Sequence, residues 1–191
     1  INKKNIKFAK KFDSIVVLSN KESQIWKNNN FDVKIIPNFI PSLTDTINYQ
    51  QEHSHSIICV GRLNKQKGFD LLIEAWNKIW NKYKEWHIDI YGEGEERMFL
   101  ERRISMLGLE KSIIINSPKN DIFREYFNHS FLVLSSRAEG FGLVLAEAMS
   151  CGIPCVSFNC PCGPDEIITN SVNGLLAENG NINDLAAKIE W

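Results

Sequence analysis

Short, unbroken apolar runs recur along the chain, and most are separated by stretches whose apolar residues fall at helical spacing. The runs predict strands over residues 14–18, 33–36, 56–60, 86–91, 111–115, 130–134, 154–158 and 174–177. After the third run, Leu71, Leu72, Ala75, Trp76, Ile79, Trp80 and Tyr83 repeat every three or four positions. That spacing marks one helix face packed on a sheet, and its aromatic residues read as core rather than as ligand contacts. Alternation of strands and helices predicts an α/β fold with a parallel sheet covered on both faces.

The pattern breaks once. Between Pro37 and His55 the chain reads PNFIPSLTDTINYQQEHSH, with two prolines, many polar residues and no period. Such a stretch reads as a linker between domains, centred on residues 41–53. No internal repeat or low-complexity tract is visible.

Two segments carry candidate chemistry. Residues 139–147 read EGFGLVLAE, two glutamates around a Phe-Gly step where a loop turns into a helix. Gly140 and Gly142 would let backbone approach a ligand, and a helix starting near Gly142 aims unpaired N–H groups at an anion. Glu139 and Glu147 fit such a site only if each accepts hydrogen bonds from ligand hydroxyls, one from a sugar and one from a ribose diol. On its own the segment reads equally well as a helix with two solvated glutamates. The second segment, GRLNKQKGFD at 61–70, follows the run SIICV and places Arg62 and Lys67 in a strand-to-helix loop, where doubly wound folds bind ligands. Two cations there suit a diphosphate, although by themselves they read as surface charges.

Together, GRLNKQKGFDLLIEAW, YGEGEER, SSRAEGFGLVLAEAMSCGIPCV, GPDEII and NGLL resemble glycosyltransferase family 4, the retaining sugar-nucleotide transferases of the GT-B fold. YGEGEER alone is a weak phosphate-loop signal without a third glycine. The resemblance spans about residues 14–180. It implies a Rossmann-like C-terminal donor-binding domain over 54–191 and the tail of an N-terminal acceptor domain over 1–40. It further implies that Arg62 and Lys67 bind the donor diphosphate and offset charge on the leaving group. Glu139 would contact sugar hydroxyls, Glu147 the ribose, and the backbone of Gly61, Gly140, Phe141, Gly142 and Leu143 would close around sugar and phosphates. The base would lie near Ser117, Pro118 and Lys119. One departure is CPCGPDEII, where many relatives carry paired glycines. Its Gly-Pro-acid-Glu-Ile-Ile form resembles the subset that builds bacterial lipopolysaccharide, capsule or glycoprotein glycans, often with galactose-type donors.

Composition narrows the classes. The chain has 191 residues, 43% hydrophobic and 24% charged, with a formal net charge of −1. That is enough for one substantial core and short for two full domains. Lysines interspersed with acids argue against a nucleic-acid partner. Lys7, Lys10 and Lys11 around Phe8 and Phe12 read as a solvated helix face rather than a membrane patch. No apolar run approaches the ~20 residues that span a bilayer, and no signal peptide is apparent. The start at Ile1 and the end at Trp191, inside the apparent helix NINDLAAKIEW, suggest a piece of a longer protein. Cysteines 59, 151, 155, 160 and 162 show neither disulfide-framework nor zinc spacing, and Cys151 and Cys155 read as small core residues. Free thiols suit a reducing cytoplasm. His53, His55, His87 and His129 suggest no catalytic set.

The expected activity is retaining transfer of a hexose from a nucleoside-diphosphate sugar, UDP-linked by expectation, to a glycan or lipid-linked glycan in bacterial surface polysaccharide synthesis. No metal cofactor is expected, because Arg62, Lys67 and the helix start supply the charge, and no Asp-x-Asp triplet occurs. The expected location is the cytoplasm, with peripheral membrane contact through the absent first domain, without which little transfer is expected. A sugar-nucleotide epimerase of the same fold and a noncatalytic nucleotide-sugar binding module remain alternatives.

Overall fold

Every predicted strand is present in the computed structural model, which describes residues 3–40 and 54–190. The predicted linker, 41–53, lies outside the described residues. In chain order the first elements are α1 (Lys3–Ala9), β1 (Ile15–Val17), α2 (Asn20–Lys27) and β2 (Val33–Ile35). Then follow β3 (Ser56–Val60), α3 (Phe69–Ile79), β4 (His87–Tyr91), α4 (Arg97–Met106), β5 (Ile113–Asn116), α5 (Ile122–Phe127) and β6 (Phe131–Leu134). The last are α6 (Leu143–Ser150), β7 (Cys155–Phe158), α7 (Pro164–Ile167), β8 (Gly174–Ala177) and α8 (Ile182–Glu190).

The eight strands do not share one sheet. β1 and β2 pair in parallel by themselves, with Ile15 opposite Val33. The other six form a parallel sheet in the order β5-β4-β3-β6-β7-β8. The chain moves outward from β3 to β5, then crosses back to the other side of β3 and moves outward again from β6 to β8. Connections leave β3 and β6 in opposite directions, which opens a crevice at their carboxyl ends, the usual ligand position in such sheets.

Both sheet faces are covered, as the unbroken apolar runs require. Successive residues of β3 serve opposite faces: Ile57 and Cys59 join one core, Ile58 the other. The first core takes Leu72, Ile73 and Trp76 from α3, Leu100 and Ile104 from α4, and Leu185 from α8. The second takes Tyr126 from α5 and Leu145 and Ala148 from α6. Trp76 is 1% exposed, and its indole N–H donates to Ser112 Oγ at 3.1 Å. The helical spacing in α3 thus has the predicted meaning. Cys151 and Cys155 lie in the second core, where burial pushes the Cys155 thiol up to about 12.

The small sheet is joined to the large one by polar contacts. Ser19 caps α2 and accepts from Glu22 N–H. The next two amides of α2 donate to a carboxylate from α7: Asn20 N–H to Glu166 Oε2 at 2.8 Å and Lys21 N–H to Oε1 at 2.9 Å. Lys21 also pairs with Asp165. On the small unit Phe8, Phe12, Val16 and Ile36 stay exposed, and so do Lys7, Lys10 and Lys11. Among the described residues no helix is long and apolar enough to cross a membrane.

Candidate functional site

The loop after β3 and the loop after β6 flank the crevice, and they bring the first candidate set together. After β3 the chain makes a single 3-10 turn, Lys65–Lys67, capped by Asn64, whose side chain accepts from Lys67 N–H at 3.1 Å. The Lys67 stem passes over Gly61: a Cβ there would meet its methylene carbons at 3.2 to 3.4 Å. Its ammonium then donates to Glu139 Oε1 at 2.7 Å. Ser136, fully buried at the end of β6, donates its hydroxyl to the same oxygen at 2.5 Å. The Glu139 side chain is only 9% exposed, so these two donors hold a carboxylate that has little water. Arg62 stands exposed at the mouth of the same loop and forms no ion pair among the described residues.

Gly142 sits at φ 88°, ψ 48°, a left-handed turn that reverses the chain into α6. It offers no capping side chain, and the first turn of α6 carries no acid of its own. Gly140 and Leu143 are exposed beside it and Phe141 is half-buried. No atom lies within 4 Å of a Cβ built on Gly140, so space there is open. One turn into α6, Glu147 accepts from the Tyr126 hydroxyl at 2.9 Å. Burial, and then the Glu147 carboxylate, raise the Tyr126 phenol far above its ordinary pKa, so it stays a donor.

The remaining candidates sit apart. Pro118 and Lys119 lie on the exposed loop after the edge strand β5, with Lys119 Nζ 3.5 Å from Glu125. No hydrogen bond among the described residues ties this loop to Lys67 or Glu139. YGEGEER packs against the loop after β3. Its glycines allow close packing, since a Cβ on Gly92 would fall 1.9 Å from Gly61 O, and Glu93 O accepts from Leu63 N–H at 2.8 Å. The motif therefore buttresses the Arg62–Lys67 loop. His129, 4% exposed, contacts Asp89 at 3.2 Å and Glu125 O at 2.6 Å, away from this set. An apolar cavity of about 260 Å³ opens at the amino ends of β6 to β8, lined by Phe131, Pro154 and Val172 among others. It lies at the edge of the sheet opposite the crevice.

Ser136 and Tyr126, which hold the two glutamates, escape sequence reasoning. Ser136 lies inside the quoted string SSRAEGFG, but nothing in that string marks which serine faces the carboxylate. Tyr126 belongs to no motif, and its partner is 21 residues away.

The arrangement offers two cations and a helix start to an anion, and two carboxylates to hydroxyl groups. Comparison with known proteins identifies the family. Residues 46–191 match the family described as glycosyl transferases group 1. An uncharacterised glycosyltransferase of Haemophilus influenzae is 33% identical over 182 residues, covering 93% of this chain and 51% of that protein. A Staphylococcus aureus TarM variant, solved with fondaparinux, alpha-GlcNAc-glycerol and UDP, superposes with a TM-score of 0.87 at 30% identity, over 96% of this chain and 37% of that one. The pneumococcal O-GlcNAc transferase GtfA, solved with UDP and GlcNAc, gives 0.86 at 27% identity, over 98% and 39%. The chain thus spans about half, or less, of the proteins it matches.

Proposed function

Since this chain belongs to the group 1 glycosyltransferases and carries the C-terminal domain of their GT-B fold, we propose that it binds the nucleotide-sugar donor of a retaining hexosyltransferase. The observation that carries the reading is the Lys67–Glu139 pair at the crevice, beside the exposed Arg62 and the uncapped start of α6. Arg62, Lys67 and the first-turn amides of α6 bind the diphosphate and stabilise charge on the departing nucleoside diphosphate. That is the electrostatic work a divalent cation does in other transferases, so no metal is required. Glu139 orients sugar hydroxyls. Glu147, held by Tyr126, accepts from the ribose, and Gly61, Gly140, Phe141, Gly142 and Leu143 line the approach. Pro118 and Lys119 stand on the base side.

UDP is the favoured nucleotide, in line with the UDP held by the two matched structures. The acceptor is a glycan or lipid-linked glycan of bacterial surface polysaccharide, brought to the crevice by an N-terminal domain of which residues 3–40 describe a part. The exposed apolar side chains Val16 and Ile36 on the small sheet support that placement. Transfer takes place in the cytoplasm, with membrane contact, where the acceptor is lipid-linked, made through the N-terminal domain. This chain by itself binds donor and transfers little.

Calorimetric titration with UDP, GDP and their hexose conjugates tests the reading, repeated with Arg62→Ala, Lys67→Ala and Glu147→Ala. Micromolar binding of one nucleotide class, weakened by each substitution by about 1 to 3 kcal/mol, is the expected result. Binding that ignores all three substitutions would move the site elsewhere.

A further inference from the structure

Lys67 and Glu139 come from loops 72 residues apart in sequence, and the contact between them does not by itself fix where either loop lies. A second layer of contacts, one step back from the crevice, joins the same two loops. Arg137 Nη1 donates to Asp70 Oδ1 at 2.8 Å and Nη2 to Oδ2 at 2.7 Å, a two-pronged pair that sets orientation as well as distance. Nη1 also reaches Lys65 O at 2.7 Å, and Arg137 N–H donates to Gln66 O at 2.8 Å. At Gly68, φ 66°, the two backbones touch: a Cβ would fall 2.1 Å from Ser135 O. Arg137 precedes Glu139 by two residues, and Asp70 follows Lys67 by three, in the first turn of α3.

We propose that Arg137 and Asp70 are positioning residues whose pair fastens the turn carrying Lys67 to the loop carrying Glu139, so that the diphosphate cation and the sugar-side carboxylate are set as one unit. The inference rests on the donor-site reading above and deepens it. Arg137 acts through other groups. Its guanidinium is engaged by Asp70 and the Lys65 carbonyl, and its side chain is 32% exposed against 19% for Asp70. Arginine suits this role better than lysine, because a point charge cannot hold a carboxylate and a carbonyl in one fixed plane. Partial burial works against the Asp70 carboxylate, but the Arg137 and Lys65 hydrogen bonds outweigh it and hold the group near 2, so the pair is ionised wherever nucleotide binding is measured.

A double-mutant cycle on this chain tests the proposal, read by calorimetric titration of UDP, or of GDP if that is the nucleotide bound. In the unsubstituted protein Lys67→Ala is expected to weaken binding about tenfold or more. In an Arg137→Ala background the same change is expected to cost less than about threefold, because Lys67 is no longer held in place. Glu147→Ala, whose carboxylate is held from Tyr126 instead, is expected to cost the same in both backgrounds. A merely structural role for Arg137 would leave the cost of Lys67→Ala unchanged. Asp70→Asn repeats the cycle from the other side should Arg137→Ala fail to fold, and Arg137→Lys is expected to fall between. Equal costs of Lys67→Ala in every background would overturn the proposal while leaving the donor site standing. Failure of the unsubstituted chain to bind either nucleotide would overturn the donor-site reading and this inference with it.

Discussion

Lys67 Nζ and Glu139 Oε1 meet at 2.7 Å with side chains 20% and 9% exposed, so each is the main charge partner of the other. Lys67→Ala therefore has two expected effects. Nucleoside-diphosphate binding falls by about tenfold to a hundredfold, as for a lost charged hydrogen bond. Stability also falls by about 1 to 3 kcal/mol, because Glu139 is left with Ser136 as its donor. Adding Glu139→Gln removes the stranded charge, so the double variant should regain stability without regaining affinity. Thermal melts and titrations of the same samples separate the two effects.

Tyr126→Phe removes one hydroxyl from a fully buried ring and leaves its packing intact. Glu147 then loses the donor that orients it. We expect a loss of about 1 kcal/mol in urea unfolding and a threefold to tenfold weakening of nucleotide binding, roughly one hydrogen bond in each case. The free nucleobase, which lacks the ribose, should show no difference between the two proteins.

Asp70 gives a pH signature. Its folded-state pKa of about 2 lies below the ordinary 3.8, so the stabilisation it contributes is fully present above about pH 4 and is lost as pH falls towards 2. With allowance for solvent screening this amounts to about 1 kcal/mol. Asp70→Asn should lower stability by that amount at pH 7, and the gap should shrink below pH 4. Urea titrations from pH 7 down to pH 2.5 check it, and a gap that grew on acidification would contradict the assignment.

Cys162 occupies φ 63°, a left-handed conformation that costs a residue with a side chain roughly 1 kcal/mol and glycine almost nothing. Cys162→Gly should raise the melting temperature or leave it unchanged, and a clear fall would mean that the thiol makes a stabilising contact. Pro161 and Gly163 flank Cys162, so the substitution makes a glycine pair at 162–163 and also tests whether the lack of that pair has an energetic cost.

The sheet could be read from sequence because its strands are buried on both faces and so appear as unbroken apolar runs, Ile57 to Cys59 being the clearest. Lys67 and Glu139 could be named because each sits in a short motif at the end of such a run. Their mutual contact could not, since nothing local records which loop lies opposite which across the switch between β3 and β6. The stretch from Pro37 to His55 already set the first two strands apart from the other six, but nothing in Ile15 to Val17 marks its parallel pairing with β2. YGEGEER is ambiguous for a related reason. Glycines that admit a phosphate and glycines that admit a neighbouring backbone have the same signature, and here the neighbour is Gly61. Arg137 and Asp70 lay inside quoted motifs, yet their pairing depends on two planar groups meeting in space.

Among the described residues, neither core cluster draws on positions 3–40, and the hydrogen bonds that reach the small sheet from the large one converge on Asp165 and Glu166. Water can replace each of those bonds. The joint between the two sheets is therefore electrostatic in character, and it is expected to slacken as ionic strength rises. Among the described residues, parting the two sheets here would break those charge contacts and leave both core clusters intact.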